Sequence, residues 1–165
     1  RDTYGTGGPT PFADLPLSST VTYDGFMELA FFSTPTANIQ SQATLSVNMQ
    51  TGATSGSASE FMGWVSNPAT GLEELALYEG DVIFSGGTLS SGAGGQATYD
   101  MQISGALNNG EQAFTVSGQL DGAIYGADAG GLFASGNDFG GSGGPTFTTD
   151  GQAVFGTAAI WALKQ

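Results

Sequence analysis

A chain of 165 residues with neither Cys nor His offers no thiol nucleophile, disulfide, imidazole base or customary zinc, copper or haem ligand. Its 15 acidic residues face only Arg1 and Lys164, and the formal net charge of −13 leaves no basic patch, which excludes nucleic acid and anionic lipid as partners. Only 10% of the residues are charged while 28 are Gly, so hydroxyls, amides and backbone solvate the surface, as suits strands and turns better than helices.

The length corresponds to one domain able to bury an ordinary core. The acidity reads as solubility, in a salty medium that screens self-repulsion, with a basic partner or calcium as the sharper alternatives. No stretch is apolar for long enough to cross a bilayer as a helix. The chain opens at Arg1 without a Met, and a removed export signal or lipidated leader is the expectation drawn from that.

Residues 1–19 read as an irregular arm anchored by Phe12, Leu15 and Leu17, and residues 20–165 as the domain proper. From Thr20 to Phe32 a strand starts in one phase and then turns apolar in both, through Phe26, Met27, Leu29, Ala30, Phe31 and Phe32. This predicts either cover on both faces or a bulge that switches phase. Thr34 to Gln42 reads as a connection; Leu45, Val47 and Met49 then alternate with polar residues, Thr51-Gly52 punctuates, and Thr54 to Trp64 returns as a hairpin partner.

Ser66 to Glu79 breaks the strand pattern. Thr70 followed by Glu73 fits a capping box, and Leu72, Leu75 and Ala76 share a helical face, so one or two helical turns are expected in this loop. Asp81 to Leu89 is a further strand and Ser90 to Gln96 a flexible turn. Tyr99, Met101, Ile103 and Leu107 then form one face of a strand that turns at Asn108-Asn109-Gly110 and returns as Phe114 to Ile124.

A short strand around Leu132 to Ala134, a glycine loop over Ser135 to Pro145 and an apolar strand from Ala153 to Leu163 complete the chain. About eight strands at this spacing indicate a sandwich or a barrel. None of them carries an interior Lys to guard an edge, and Gly105, Gly118 and Gly122 interrupt the inward phase where a barrel coils most sharply. An all-β, single, eight-stranded antiparallel barrel is therefore expected.

From Gly118 the sequence GQLDGAIYGADAGGLF resembles the motif of the β-barrel domains of transferrin-binding protein B and its small surface or secreted relatives. Gly122 precedes the aromatic–glycine pair Tyr125-Gly126, which is followed by Ala129, Gly130, Gly131 and the aromatic Phe133. Val154 to Ala158 is similar to the closing strand of those barrels, and Leu45 to Gly56 to one of their hairpins. The turn departs from the family in having Ala127 in place of Pro and in passing directly from Ala129 to Gly130. The resemblance implies an eight-stranded barrel, an outer-membrane or extracellular location in a Gram-negative bacterium, often with a lipid anchor, and binding in place of catalysis.

Without His, Cys or an internal Lys, enzymatic chemistry would require two converging carboxylates, for which Asp100 and Asp121 on adjacent strands are the candidates against a reading as solvated surface. Glu73, Glu74, Glu79 and Asp81 are oxygen ligands without the spacing of a calcium loop, as are Asn137, Asp138 and Asp150. Haem, bound by some barrels of the resembled family, would need Tyr78, Tyr99 or Met62 as ligand.

No cofactor is expected. The candidate binding residues are Trp64, Leu72, Leu75, Leu77 and Tyr78, read either as a contact patch or as a plug over one barrel mouth. The partner so expected is a protein or a small apolar ligand. The alternative is a structural or adhesive subunit that docks its barrel on itself, and Ala153 to Trp161, with Val154 and Ile160 facing outward, is a second candidate seam.

Overall fold

Alternation of inward and outward side chains runs through almost every strand and gives the sheet one apolar face to enclose. The computed structural model describes residues 7–67, 69–139 and 143–165. Its strands are β1 (Thr20–Phe32), β2 (Ala37–Asn48), β3 (Thr54–Ser66), β4 (Glu73–Tyr78), β5 (Val82–Ser91), β6 (Ala97–Asn108), β7 (Ala113–Tyr125), β8 (Gly131–Asn137), β9 (Thr146–Thr149) and β10 (Gln152–Lys164). Neighbours follow the order β1-β2-β3-β5-β6-β7-β8-β10, and β10 returns to β1 from Tyr23↔Lys164 to Phe32↔Phe155. The result is the expected closed eight-stranded antiparallel barrel.

Two short strands complete gaps in this cycle. β9 pairs with the first half of β7 and the start of β10, where β8 does not reach. β4 pairs with the upper half of β3, whose lower half pairs with β5, so that β4 and β5 act as one strand bent at Gly80.

The inward phase fills the barrel. Phe31 packs against Phe114 and Phe147 with ring centroids 5.0 and 5.6 Å apart, and Tyr78 reaches Phe114 at 5.5 Å. Met27, Leu29, Ile39, Leu45, Met101 and Leu120 are buried below them. An interior of this strand number is just wide enough for side chains, and each such residue contributes roughly 1.5–3 kcal/mol by leaving water.

β1 keeps a single phase without a bulge: Tyr23, Met27, Leu29 and Phe31 point in, while Phe26 and Phe32 point out and stay exposed. At Gly122 the strands β7 and β8 approach so closely that a Cβ would overlap the Phe133 carbonyl oxygen and stand 2.6 Å from Ala134 Cα. This is the tight coiling its place in the inward phase predicts.

Four expectations are corrected. The connection after Phe32 ends at Thr36, since β2 already alternates from Ala37. The loop expected to hold a helical turn is instead strand β4: Thr70 Oγ1 accepts the Leu72 amide at 3.3 Å and caps no helix, while the short 3-10 turns lie at Phe12–Asp14, Ala93–Gly95 and Ala127–Ala129. The glycine loop is bordered by strand on both sides, with β8 running to Asn137 and β9 following Pro145; residues 140–142 of that loop lie outside the described residues. On β10, Ile160 is fully buried and Val154 packs on the core; the outward side chains are Phe155, Trp161 and Leu163.

The arm is built into the barrel from Pro9 onward, its residues 1–6 lying outside the described residues. The Thr10 amide donates to Ile124 and its carbonyl accepts from Ala97, which inserts the arm between the ends of β7 and β6. Leu15 is buried and Phe12 packs on the core, whereas Leu17 is exposed.

Candidate functional site

Two directly opposed pairs make up the outer face of the β3–β4 hairpin, Met62 with Leu77 and Trp64 with Leu75. Both pairs follow from strand periodicity, since Met62 and Trp64 are two apart on one strand and Leu75 and Leu77 two apart on the other. Trp64 is 60% exposed, Leu75 55%, Leu77 68% and Met62 45%, and Leu72 at the hairpin turn is 66% exposed. Isolated exposed leucines are ordinary on protein surfaces; a contiguous set of this size with a Trp at its centre is not. Beside it a groove runs between Trp64, Met62 and Leu75 on one side and Asn38, Gln40 and Pro35 on the other.

The turn that presents this face is ordered by Asn67. Its Oδ1 accepts the Ala69 amide at 2.9 Å, its carbonyl accepts from Thr70 and Gly71, and its Nδ2 donates to Glu74 Oε1 at 2.9 Å. The sequence expectation treated Tyr78 as part of the same patch, and here the structure separates them: Tyr78 belongs to the opposite phase and is buried against Phe114. Val65 and Ala76 share that inner phase and pack on the core. The hairpin thus covers one end of the core with its inner face and presents its outer face to solvent. Met62, offered in sequence only as a haem ligand, is the member of the outer face that sequence reasoning missed; its spacing of two from Trp64 was the available signal.

Burial holds the Tyr78 hydroxyl above its ordinary pKa, an effect partly offset by the nearby Asn109 side chain, although no described group meets it in hydrogen-bonding geometry. Tyr99 lies at the other end of the barrel with its hydroxyl on Thr54 Oγ1, and Met62 is outside, so the three candidate haem ligands do not converge.

Asp100 and Asp121 are direct cross-strand partners on the exterior, where Asp121 accepts from Gln119 Nε2 at 2.7 Å. Among the described residues no three carboxylates gather as a metal site. Asp150, a candidate ligand in sequence, has a different task. With φ of +50° it forms with Gly151 (φ +78°) the tight β9–β10 turn, while its Oδ1 accepts the Ala113 amide at 2.8 Å.

No protein-family model matches this chain, and neither does any curated protein. The segment of residues 122–133 must therefore be read from its own geometry. Gly126 (φ +79°), Asp128 (φ +53°) and Ala129 (φ +56°) all adopt left-handed backbone, and Ala129 is fully buried at the barrel end with its carbonyl accepting from Tyr23 Oη at 2.8 Å. Gly130 accepts the Lys164 amide and Gly131 opens β8. Tyr125 and Phe133 border an exterior groove with Trp161 and Leu163.

Phe133 and Phe26 both stand opposite Trp161, which makes an outward row across β8, β10 and β1. Further along the same strands Phe139 lies 5.6 Å from Phe32 and 6.1 Å from Phe155. The exterior of β2 is instead a row of Asn, Gln, Thr and Ser, and those of β6 and β7 are mostly Thr, Ser, Gln and Asp with single Ala residues between, up to Tyr125 at the end of β7. No helix among the described residues is long and apolar enough to cross a membrane.

Proposed function

We propose that this barrel is a non-enzymatic binding module, exported to the outer-membrane surface or beyond by a Gram-negative bacterium, that engages a protein partner through the outer face of its β3–β4 hairpin. The observation that carries the reading is the pair of opposed apolar contacts, Trp64–Leu75 and Met62–Leu77, held in solvent on an ordered strand pair. Aromatic anchors flanked by aliphatic side chains are the usual energetic centre of a protein contact. Side chains fill the barrel interior, which favours a partner on the outside over a small apolar ligand within. The polar exteriors of β2, β6 and β7 differ from the continuous apolar band of a barrel that spans a membrane. The likeness of residues 118–133 to transferrin-binding protein B-like barrels supports export and binding, with Gly122, Tyr125, Gly126, Ala129, Gly130, Gly131 and Phe133 in structural roles.

The native mass spectrum of the protein from its own source tests this reading. An added mass is expected with the unaltered chain and not with Trp64→Ser/Leu77→Ser, while fractionation of the same cells places the protein. A partner retained by the double variant would transfer the role to another surface. The row Phe26–Trp161–Phe133 favours a second reading, a subunit that docks on copies of itself. Light scattering that finds a monomer up to high concentration would dismiss it.

A further inference from the structure

The β4 strand has an edge that the barrel does not use. Glu79 and Asn108 exchange both backbone hydrogen bonds, at 2.8 and 3.0 Å, and there β6 turns away through Asn109 and Gly110. Backbone groups two residues apart on a strand point to the same side, so Leu77, Leu75 and Glu73 aim their N–H and C=O groups at the edge Glu79 uses. No described residue pairs with them there, since β4 pairs only with β3. The strand runs on for about 20 Å past its last contact with β6, at roughly 3.4 Å per residue. A groove beneath the hairpin, lined by Val65, Glu74 and Ala76 and reaching Pro35, opens at this edge toward Asn109, Glu111 and Gln112.

We propose that this edge takes up an extended strand of a partner protein in which apolar and basic residues alternate, an inference that rests on the hairpin being the contact surface. Strand addition supplies affinity through the main chain and specificity through alternate side chains. One face of the added strand continues the sheet beside Leu75 and Leu77 and calls for apolar residues. The other meets Glu74 and Glu111 in the groove and calls for Lys or Arg. A second copy of this chain is poorly matched to the site. Each copy carries −13, and between Arg1 and Lys164 neither Lys nor Arg occurs to answer those carboxylates.

Fluorescence anisotropy of the full chain with three labelled synthetic peptides tests the proposal: alternating Val/Lys, alternating Val/Glu, and Val/Lys with every second amide N-methylated along one edge. The Val/Lys peptide is expected to bind saturably and the Val/Glu peptide not at all. N-methylation is expected to weaken binding by about tenfold or more, as the loss of two or three backbone hydrogen bonds requires. Glu74→Gln with Glu111→Gln is expected to weaken it by about tenfold and to flatten its salt dependence.

Equal binding of the Val/Lys and Val/Glu peptides, absence of binding, or self-association that buries β4 in light scattering would each overturn the proposal. If the N-methylated peptide binds as well as its parent but Trp64→Ser/Leu77→Ser abolishes binding, the edge is not used and the outer face remains the contact surface. Val/Lys binding unchanged by that double substitution would instead overturn the reading of the outer face.

Discussion

The Tyr23 hydroxyl donates to the carbonyl oxygen of Ala129 at 2.8 Å, joining residues 106 positions apart inside one end of the barrel. Ala129 holds left-handed backbone in a fully buried position, so its carbonyl has no water to turn to. Tyr23→Phe is expected to lower the unfolding free energy by about 1–3 kcal/mol, the cost of an orphaned buried acceptor. Tyr99→Phe should cost less, because Thr54 Oγ1 keeps its bond to the Gly52 carbonyl at 2.9 Å. Urea unfolding of the two variants, compared at equal m-value, checks the order.

Alkali should unfold this protein through its tyrosines. Burial first, and then the proximity of Tyr99, raises the Tyr23 hydroxyl well above the usual value near 10. Burial likewise raises Tyr99, with Asp100 adding to it and the bond to Thr54 opposing it. The unfolded chain gives up these protons near pH 10 while the folded chain retains them, so their contribution is complete below that pH and is lost as pH rises above it. Urea midpoints are expected to stay level up to about pH 10 and then fall, with phenolate absorbance appearing together with unfolding. Full phenolate titration at an unchanged midpoint would contradict this account.

Gly122→Ala asks β7 and β8 to part. Its Cβ would overlap the Phe133 carbonyl oxygen, a backbone atom that no side-chain rotation can move. A loss of about 3 kcal/mol is expected, at the upper end of overpacking costs, and calorimetry would report it as a lowered melting temperature.

Glu60 interrupts β3 with a φ of +59° where the register against β2 slips between Gln40 and Gln42. A non-glycine residue there costs about 1–2 kcal/mol, and the extra unfolded-state entropy of Gly costs about 0.5–1. Glu60→Gly should therefore gain about 0.5–1 kcal/mol. Glu60→Ala, which keeps the strain, should gain nothing, and a thermal melt of both variants separates the two effects.

Adjacent residues on β4 should behave in opposite ways. Leu77→Ser on the exposed outer face is expected to change stability by less than about 0.5 kcal/mol, whereas Tyr78→Ala beneath it should cost about 3 kcal/mol or more. Equal effects in denaturant titration would mean that the hairpin does not present its two faces as described.

How far the fold was legible depended on where alternation was clean. Phe114, Val116, Leu120 and Ile124 read as one buried face and are one. β4 was missed because Leu72, Leu75 and Ala76 satisfy a helical spacing as well as Leu75 and Leu77 satisfy a strand, and only pairing with β3 decides between them. β9 was missed although Asp150-Gly151 between Phe147 and Val154 is a strong hairpin signal; the glycine run before it drew the segment into a loop. Of the candidate site, the apolar identity of Trp64, Leu75 and Leu77 was visible. That Tyr78 turns inward and Met62 outward required the register, since a shift of one residue exchanges the faces.

Because the pairing of β3 with β2 ends at Trp64 and its pairing with β4 runs on to Ser66, the tip of this hairpin lies beyond the closed cylinder. Its sequence is free to diversify at little expense to the barrel beneath, as long as Val65, Ala76 and Tyr78 keep their places. The same separation makes residues 67–75 a natural grafting point, where a foreign recognition hairpin can be exchanged for the native one and presented on an unchanged frame.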